Sequence, residues 1–194
     1  MTRAARLLGA LGLLAVLAGC GAAAEQEPEP RPAAAARPPA LTVPAGFARV
    51  AGRDWAIAVP GGFDPSQVTA EERPTLKLLT APAGTGGLPG QVAIARNREA
   101  PGPFDASVEA MKAQNRLERS DWSIVEERDA DVPGARLARR IEATYVQPDG
   151  TPVRTIDLIV HSERGVRYDV FVRAPEADFA RLRLAESIDT FRVA

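Results

Sequence analysis

The amino-acid sequence predicts an α+β domain, an antiparallel β-sheet of about six strands with two main helices packed on it. Several short runs rich in Val, Ile, Leu and aromatic residues alternate apolar and polar positions, as half-buried strands do. Two longer segments carry apolar residues at helical spacing instead. Residues 135–173 contain three strand-like runs separated by short turns. Because short turns join only antiparallel neighbours, these runs predict a meander and an antiparallel sheet.

The first strand signals precede any helical pattern. Trp55, Ile57 and Val59 alternate with smaller residues before a Pro-Gly-Gly turn. A short apolar run covers residues 76–79, and alternation resumes at Val92 after a glycine-rich loop. These patterns predict three strands.

The first predicted helix spans residues 103–119. Phe104, Val108 and Met111 recur within it at helical spacing, and a Pro-Gly-Pro segment precedes it. A further strand is predicted to begin at Trp122, directly after the helix ends.

The register of the first meander hairpin is predicted by placing apolar side chains on one face. Val146 then lies opposite Val153, and residues 148–151 form a four-residue turn. The predicted buried face consists of Ala135, Leu137, Ile141, Ala143, Tyr145, Ile156, Leu158, Val160, Val166, Tyr168, Val170 and Val172.

The second meander hairpin is predicted to close on a three-residue loop, residues 163–165, that ends in glycine. This loop aligns Val160 with Tyr168 and Leu158 with Val170. All four residues then share the buried face.

A second amphipathic helix is predicted over residues 175–189, lying across the meander. Acidic residues in its first turn favour a helix N-terminus. Its apolar stripe consists of Phe179, Leu182, Ala185 and Ile188. Phe191 and Val193 are predicted to end the chain in an extended segment.

Residues 1–19 have the three parts of an export signal. Arg3 and Arg6 precede an uncharged apolar run over residues 7–18, and small residues lead into Cys20. This run rises only about 18 Å as a helix, whereas the hydrocarbon core of a bilayer is roughly 30 Å thick. The segment resembles the lipobox of bacterial lipoproteins, which implies signal cleavage before Cys20, acylation there with chains such as palmitate, and a membrane anchor. A plain signal peptide or an uncleaved core helix is the alternative.

Three segments follow from this pattern: a signal peptide over residues 1–19, a linker over residues 20–45 and a domain over residues 46–194. The linker is rich in Ala, Pro and Glu and has almost nothing to bury, so it is predicted to be disordered. The domain is large and apolar enough to form its own core.

Charge and cysteine content exclude several function classes. The chain has 24 basic and 25 acidic residues, a net charge of -1, and they are interleaved, so no nucleic-acid partner is predicted. Cys20 is the single cysteine, and its use as an anchor excludes disulfides, a cysteine nucleophile and thiolate metal sites. No cofactor is predicted.

The candidate catalytic and metal-binding residues are few. His161 is the single histidine, and Asp157 on the same strand face lies about 13 Å away, too far to share a metal ion with it. Residues 84–90 are glycine-rich but lack the Lys-Ser/Thr of a phosphate loop. No serine lies in a Gly-x-Ser-x-Gly motif. No catalytic residue is therefore predicted.

The second face of the meander is the candidate partner-binding surface. Its predicted members are Arg140, Asp157, Ile159, Arg167 and Phe171, with Asp157 opposite Phe171 and Arg140 opposite Ile159. An exposed Ile159 and Phe171 rimmed by charge would suit a protein or amphiphile. The alternative is a face covered by a helix or loop.

The order of elements resembles the PsbP-like fold. The segments that carry the resemblance are residues 138–145, 150–152, 168–170 and 187–191, which are similar to those of mycobacterial LpqN-type lipoproteins, an actinobacterial branch of that fold. The resemblance covers residues 46–194. It implies an antiparallel sheet with helices packed on it, no known catalytic centre, and a role in binding or assembly at membranes.

The expected function is a lipid-anchored, extracytoplasmic, non-catalytic module that binds an envelope lipid or a membrane protein. The alternative is a cell-envelope hydrolase. That function requires two carboxylates, or His161 and a serine, within hydrogen-bond reach in one cleft.

Overall fold

The structure is a computed structural model that describes residues 39–65, 75–81, 88–97 and 102–194. Within these residues the elements are β1 Phe47–Ala51, β2 Trp55–Pro60, β3 Asp64–Pro65, β4 Leu76–Thr80, β5 Gln91–Asn97, α1 Phe104–Glu118, β6 Ser120–Asp129, β7 Ala135–Val146, β8 Pro152–Ser162, β9 Arg167–Pro175, α2 Glu176–Phe179, α3 Leu184–Asp189 and β10 Arg192–Val193. The helix predicted over residues 103–119 is confirmed as α1.

The strands form two antiparallel sheets. Seven strands pair in the order β3-β4-β5-β9-β8-β7-β6, and three pair in the order β1-β2-β10. The predicted α+β class is confirmed. The strand count exceeds the predicted six partly because β3 and β10 have two residues each, too few to show any periodicity.

The main core lies between one face of the seven-stranded sheet and the small sheet with α3. It includes Ile57 of β2, Leu158 of β8, Val170 of β9 and Ile188 of α3, together with Phe191. All of these side chains are buried. Their burial stabilises the fold by roughly 25 cal/mol for each Å² of apolar surface removed from water.

The register predicted for the β8–β9 hairpin is confirmed. Val160 lies opposite Tyr168, and Leu158 lies opposite Val170. The hairpin closes through residues 163–165, where the Gly165 amide donates to the Ser162 carbonyl oxygen at 3.0 Å.

The register predicted for the β7–β8 hairpin is wrong by one residue. Val146 lies opposite Pro152, not Val153. A slip of one residue exchanges the two faces of a strand. Ile141 therefore lies opposite Asp157, on the face that points away from the main core.

A shorter turn explains this register. The Gln147 amide donates to the Thr151 carbonyl oxygen at 3.0 Å, so the loop has three residues where four were predicted. Gly150 has a φ of 83°, which glycine adopts without a steric penalty. The Thr151 amide donates to the Asp149 carboxylate at 2.9 Å and holds the turn.

Helix α1 covers the second face of the large sheet over β6, β7 and β8. Val108 packs there against Ile141 and Ile159 in a small second core. The Lys112 ammonium lies 2.7 Å from the Glu127 carboxylate of β6 and ties the helix to the sheet edge. Helix α1 therefore covers the second face of the meander, which was the alternative to an exposed partner-binding surface.

The single helix predicted over residues 175–189 is wrong, because two short helices occupy this segment. They are interrupted before Leu184 by Arg183, which has a φ of 52°. Phe179 and Leu184 are both buried in the main core. In one continuous helix, five residues would separate them by about 140° around the axis, so the break allows both side chains to reach the core.

The chain from Ala35 to Ala194 forms one compact unit. The main core and the second core both lie within it. A unit with its own hydrophobic core is expected to fold without the preceding residues.

Candidate functional site

A cleft of about 560 Å³ lies where the β1–β2 hairpin meets the ends of β4 and β5. This volume falls within the roughly 300–1,000 Å³ of small-molecule sites. We call it the Trp55 cleft. Its lining residues are Ala51, Gly52, Arg53, Trp55, Thr75, Leu76, Lys77, Ile94, Arg96 and Val166.

The cleft lies where apolar residues of two neighbouring strands give way to cations. Alternate positions of β5 place Val92, Ile94 and Arg96 on the core side of the sheet, and Val92 and Ile94 belong to the main core. On β4, Leu79 and Lys77 follow the same pattern, with Lys77 opposite Ile94. The core therefore ends in a basic rim at this edge.

Trp55 forms the inner wall of the cleft. Its ring centroid lies 6.4 Å from that of Phe191 in the main core. The indole also lies against Gly52, where an added Cβ would be only 2.2 Å from the Trp55 Nε1 atom. Glycine at position 52 is thus required for this placement of the ring.

A polar bridge ties the hairpin to the large sheet beside the cleft. Arg96 donates to the Asp54 carboxylate, with its Nη2 atom 2.7 Å from Oδ2. Burial alone would raise the pKa of Asp54, but hydrogen bonds from Arg96 and Tyr168 outweigh it and lower that pKa below its usual value. Burial, with Asp54 nearby, raises the pKa of Tyr168. Asp54 thus stays ionised and Tyr168 neutral.

Among the described residues, the charged side chains that line the cleft are all basic. They are Arg53, Lys77 and Arg96. Asp54 balances the charge of Arg96. For Arg53 and Lys77, the described ranges contain no ion pair. Arg53 is exposed and Lys77 is half-buried.

Arg140 does not lie on the surface that was predicted to bind a partner. Arg140 lies opposite Leu158, not Ile159, because of the shifted β7 register. Its guanidinium lies 2.6 Å from Glu126 and 2.9 Å from Glu142. The predicted pairing of Arg140 with Ile159 is therefore wrong.

The other four predicted residues share a face, but its centre is not exposed. Asp157 lies opposite Phe171 as predicted. Ile159 is only 1% exposed, because α1 covers it through Val108. Arg167 and Phe171 are half-buried, and their contact with a partner stays a prediction.

Asp157 and His161 are buried on this covered face. Burial raises the pKa of Asp157 to about 6. Burial, followed by the charge of Arg167, lowers the pKa of His161. Neither ring nitrogen of His161 has a hydrogen-bond partner within the described residues, and the Phe104 ring lies 5.0 Å away, edge to face. His161 is thus not paired with a serine in the described part of the chain, as the hydrolase alternative requires.

Cys20 and residues 84–87 lie outside the described residues, and the anchor stays a prediction. The described ranges contain no group of three His, Cys, Asp or Glu side chains placed to hold a metal ion. No helix within them is both long and apolar enough to span a bilayer.

Sequence reasoning missed the cleft residues because they come from four distant segments. One signal was present in the sequence: Lys77 and Arg96 each continue an apolar alternation on strands separated by one loop. Only the β4–β5 register shows that the two cations lie at the same end of the core.

The fold is PsbP-like, an antiparallel α+β sandwich that here carries an open cleft. The solution structure of cyanobacterial PsbP from Synechocystis sp. PCC 6803 is similar, with a TM-score of 0.56, 13% identity, and coverage of 78% of this chain and 94% of that one. The Saccharomyces cerevisiae Ran-binding protein Mog1p matches with a TM-score of 0.50, 13% identity, and coverage of 79% and 96%. At these identities the likeness shows the fold alone.

LpqN of Mycobacterium tuberculosis, described as involved in cell envelope biogenesis, also matches. Its TM-score is 0.42, with 13% identity and coverage of 80% of this chain and 82% of that one. At that TM-score the likeness supports no inference. No protein-family model and no curated protein matches the chain in sequence.

Proposed function

We propose that this chain is a non-catalytic binding module of the cell envelope that holds an amphiphilic small molecule in the Trp55 cleft. In this proposal a lipid on Cys20 tethers the module outside the cytoplasm. The observation that carries the proposal is the cleft itself, about 560 Å³ in volume, with an apolar wall and a basic rim.

The apolar wall of the Trp55 cleft favours binding of an apolar group. Half-buried Leu76 and Val166 contribute its exposed apolar surface, and the nearly buried Trp55 and Ile94 form its floor. Displacing water from these side chains favours an apolar ligand in proportion to the area that it covers. A few polar groups placed around such a pocket are typical of sites that fix a ligand's orientation.

The chemistry of the lining favours binding over catalysis. The described lining residues include no carboxylate, histidine, cysteine or serine. The hydrogen bond to Asp54 raises the pKa of Arg96, which keeps it a cation. General acid–base catalysis instead needs a group that exchanges a proton near the working pH.

The proposed location comes from the leader and linker. The basic, apolar and small-residue parts of residues 1–20 are typical of an exported lipoprotein. The segment rich in Ala, Pro and Glu then separates the anchor from the domain.

A blocked cleft tests the proposal. Ala51 is exposed and lines the cleft, whereas Ala48 is exposed on the same strand but does not line it. In the unit from Ala35 to Ala194, Ala51→Trp should weaken binding of the neutral fluorescent probe N-phenyl-1-naphthylamine by at least about tenfold. Ala48→Trp should leave probe affinity unchanged. Equal affinity for all three proteins, or no binding by the unmodified unit, would contradict the proposal.

A further inference from the structure

We infer that the Trp55 cleft selects amphiphiles that carry an anionic headgroup, a carboxylate or a phosphate on an alkyl chain. This inference rests on the proposed function and names the ligand class of the same site. It depends on the charges around the cleft, on which of them are already paired, and on where they lie relative to the apolar wall.

The described residues give the cleft a positive charge balance. Arg53, Lys77 and Arg96 line it, and the only carboxylate bonded to any of them in the described residues is that of Asp54. Asp54 is 6% exposed and accepts hydrogen bonds from Arg96 and Tyr168. Within the described residues Arg53 and Lys77 have no ion pair, and we assign them to an anionic headgroup.

The position of Lys77 sets the orientation of the ligand. Its position on β4 lies opposite Ile94 of the wall and two residues from buried Leu79. Lys77 is half-buried and lines the cleft beside its apolar residues, and a lysine in such a place can cover apolar surface with its stem while its ammonium group stays in water. An alkyl chain against the half-buried Leu76 and Val166 would bring its headgroup to this rim.

The partial burial of Lys77 makes the cleft selective for the headgroup of its ligand. A neutral chain that covers the wall would remove water from Lys77 and give it no counter-charge, which is unfavourable. An anionic headgroup restores a charge-assisted hydrogen bond to Lys77, and exposed Arg53 offers a second, bidentate donor. The same wall therefore binds an anionic chain more tightly than its neutral ester.

A matched pair of ligands tests this selectivity. Dodecanoate and methyl dodecanoate should each displace N-phenyl-1-naphthylamine from the unit Ala35–Ala194 at about pH 8, below their aggregation concentrations. We expect dodecanoate to bind at least about tenfold more tightly than the ester. Raising the salt concentration should narrow the difference in affinity between the two ligands, because salt screens the attraction between the anionic headgroup and the basic rim.

Charge-removing variants identify the residues. Arg53→Gln combined with Lys77→Gln should reduce the preference to below about threefold. The variant should bind methyl dodecanoate at least as tightly as the wild type, because the ester no longer removes water from a charged Lys77, and this result shows that the cleft is intact. Arg128→Gln combined with Arg181→Gln removes the same charge from exposed residues outside the cleft and should keep the full preference.

The outcomes separate the two proposals. Equal affinity for acid and ester, or an undiminished preference in the Arg53 and Lys77 variant, overturns the inference while probe binding in the cleft still stands. Failure of both ligands to displace the probe, together with no effect of Ala51→Trp, overturns the proposed function as well.

Discussion

Arg96 and Lys77 are neighbours on β5 and β4 but differ in their surroundings. Arg96 binds Asp54 through both Nε and Nη2 and joins the β1–β2 hairpin to the large sheet. Lys77 has no ion pair in the described part of the chain. Removing the Arg96 side chain would leave a buried carboxylate unpaired, which is costly. Removing Lys77 leaves no such group behind.

Asp157 provides a pH-dependent test at the residue scale. Burial raises its pKa to about 6, partly opposed by Arg119, from an ordinary value of 3.8. The native state then holds a proton that the unfolded state loses, so this group lowers stability as the pH rises from about 4 to 6. Asp157→Asn should therefore stabilise the domain at about pH 7.5, by up to about 3 kcal/mol. This gain in the free energy of unfolding should disappear below about pH 4, as measured by urea unfolding.

An exposed aspartate is the control for this measurement. Asp131 is exposed, and Asp131→Asn should change stability by less than about 0.5 kcal/mol at either pH. An Asp157→Asn variant that is less stable than the wild type at about pH 7.5 would show that the ionised carboxylate is needed, with Arg119 as its partner.

At the scale of elements, the β7–β8 hairpin differs most from the sequence prediction in its register. Both faces of these strands are buried, one by the main core and the other by α1. Apolar residues therefore occur on both faces, and alternation alone does not select one pairing. The three-residue turn at Gly150 selects it instead.

A pair of introduced cysteines tests this register. Thr144 lies opposite Arg154, and directly opposed positions of antiparallel strands are within disulfide range. In residues 35–194, which contain no natural cysteine, Thr144→Cys with Arg154→Cys should oxidise to an intramolecular disulfide. Thr144→Cys with Thr155→Cys, the pairing that the sequence predicted, should leave two free thiols because the side chains point to opposite faces. Thiol titration distinguishes the two results, and the reverse pattern would contradict the register.

At the scale of the whole molecule, we propose that residues 1–45 and the domain have separate physical tasks. The predicted lipid anchor on Cys20 depends on one thiol. Two acyl chains, each contributing about 0.8 kcal/mol for every buried methylene, suffice for stable attachment where one is marginal. The PsbP-like domain carries the cleft.

The anchor is tested by removing that thiol. Cys20→Ala should abolish lipidation and signal processing, because the thiol is the proposed acyl acceptor. The variant should accumulate with residues 1–19 attached and leave the detergent phase on phase partitioning. Cys20→Ser removes the same thiol but keeps a hydroxyl, and it should behave in the same way. An intact mass that shows cleavage before residue 20 and retained acyl chains would contradict the lipoprotein proposal.

Local periodicity was sufficient to predict much of the fold. The α+β class, α1, the strands that contain Trp55 and Val92, and the β8–β9 register all follow from alternation or helical spacing within one segment. Even the second, interrupted helix was placed over the correct apolar residues, since Phe179, Leu182, Ala185 and Ile188 all pack in or against the main core.

Tertiary structure alone decided the burial of Ile159 and the existence of the Trp55 cleft. In each case the environment of a side chain depends on an element far away in the chain. Helix α1 covers Ile159 through Val108, and the cleft brings residues 51–55 together with β4, β5 and Val166. A pattern within one strand shows which positions alternate, but not which face the rest of the chain will cover.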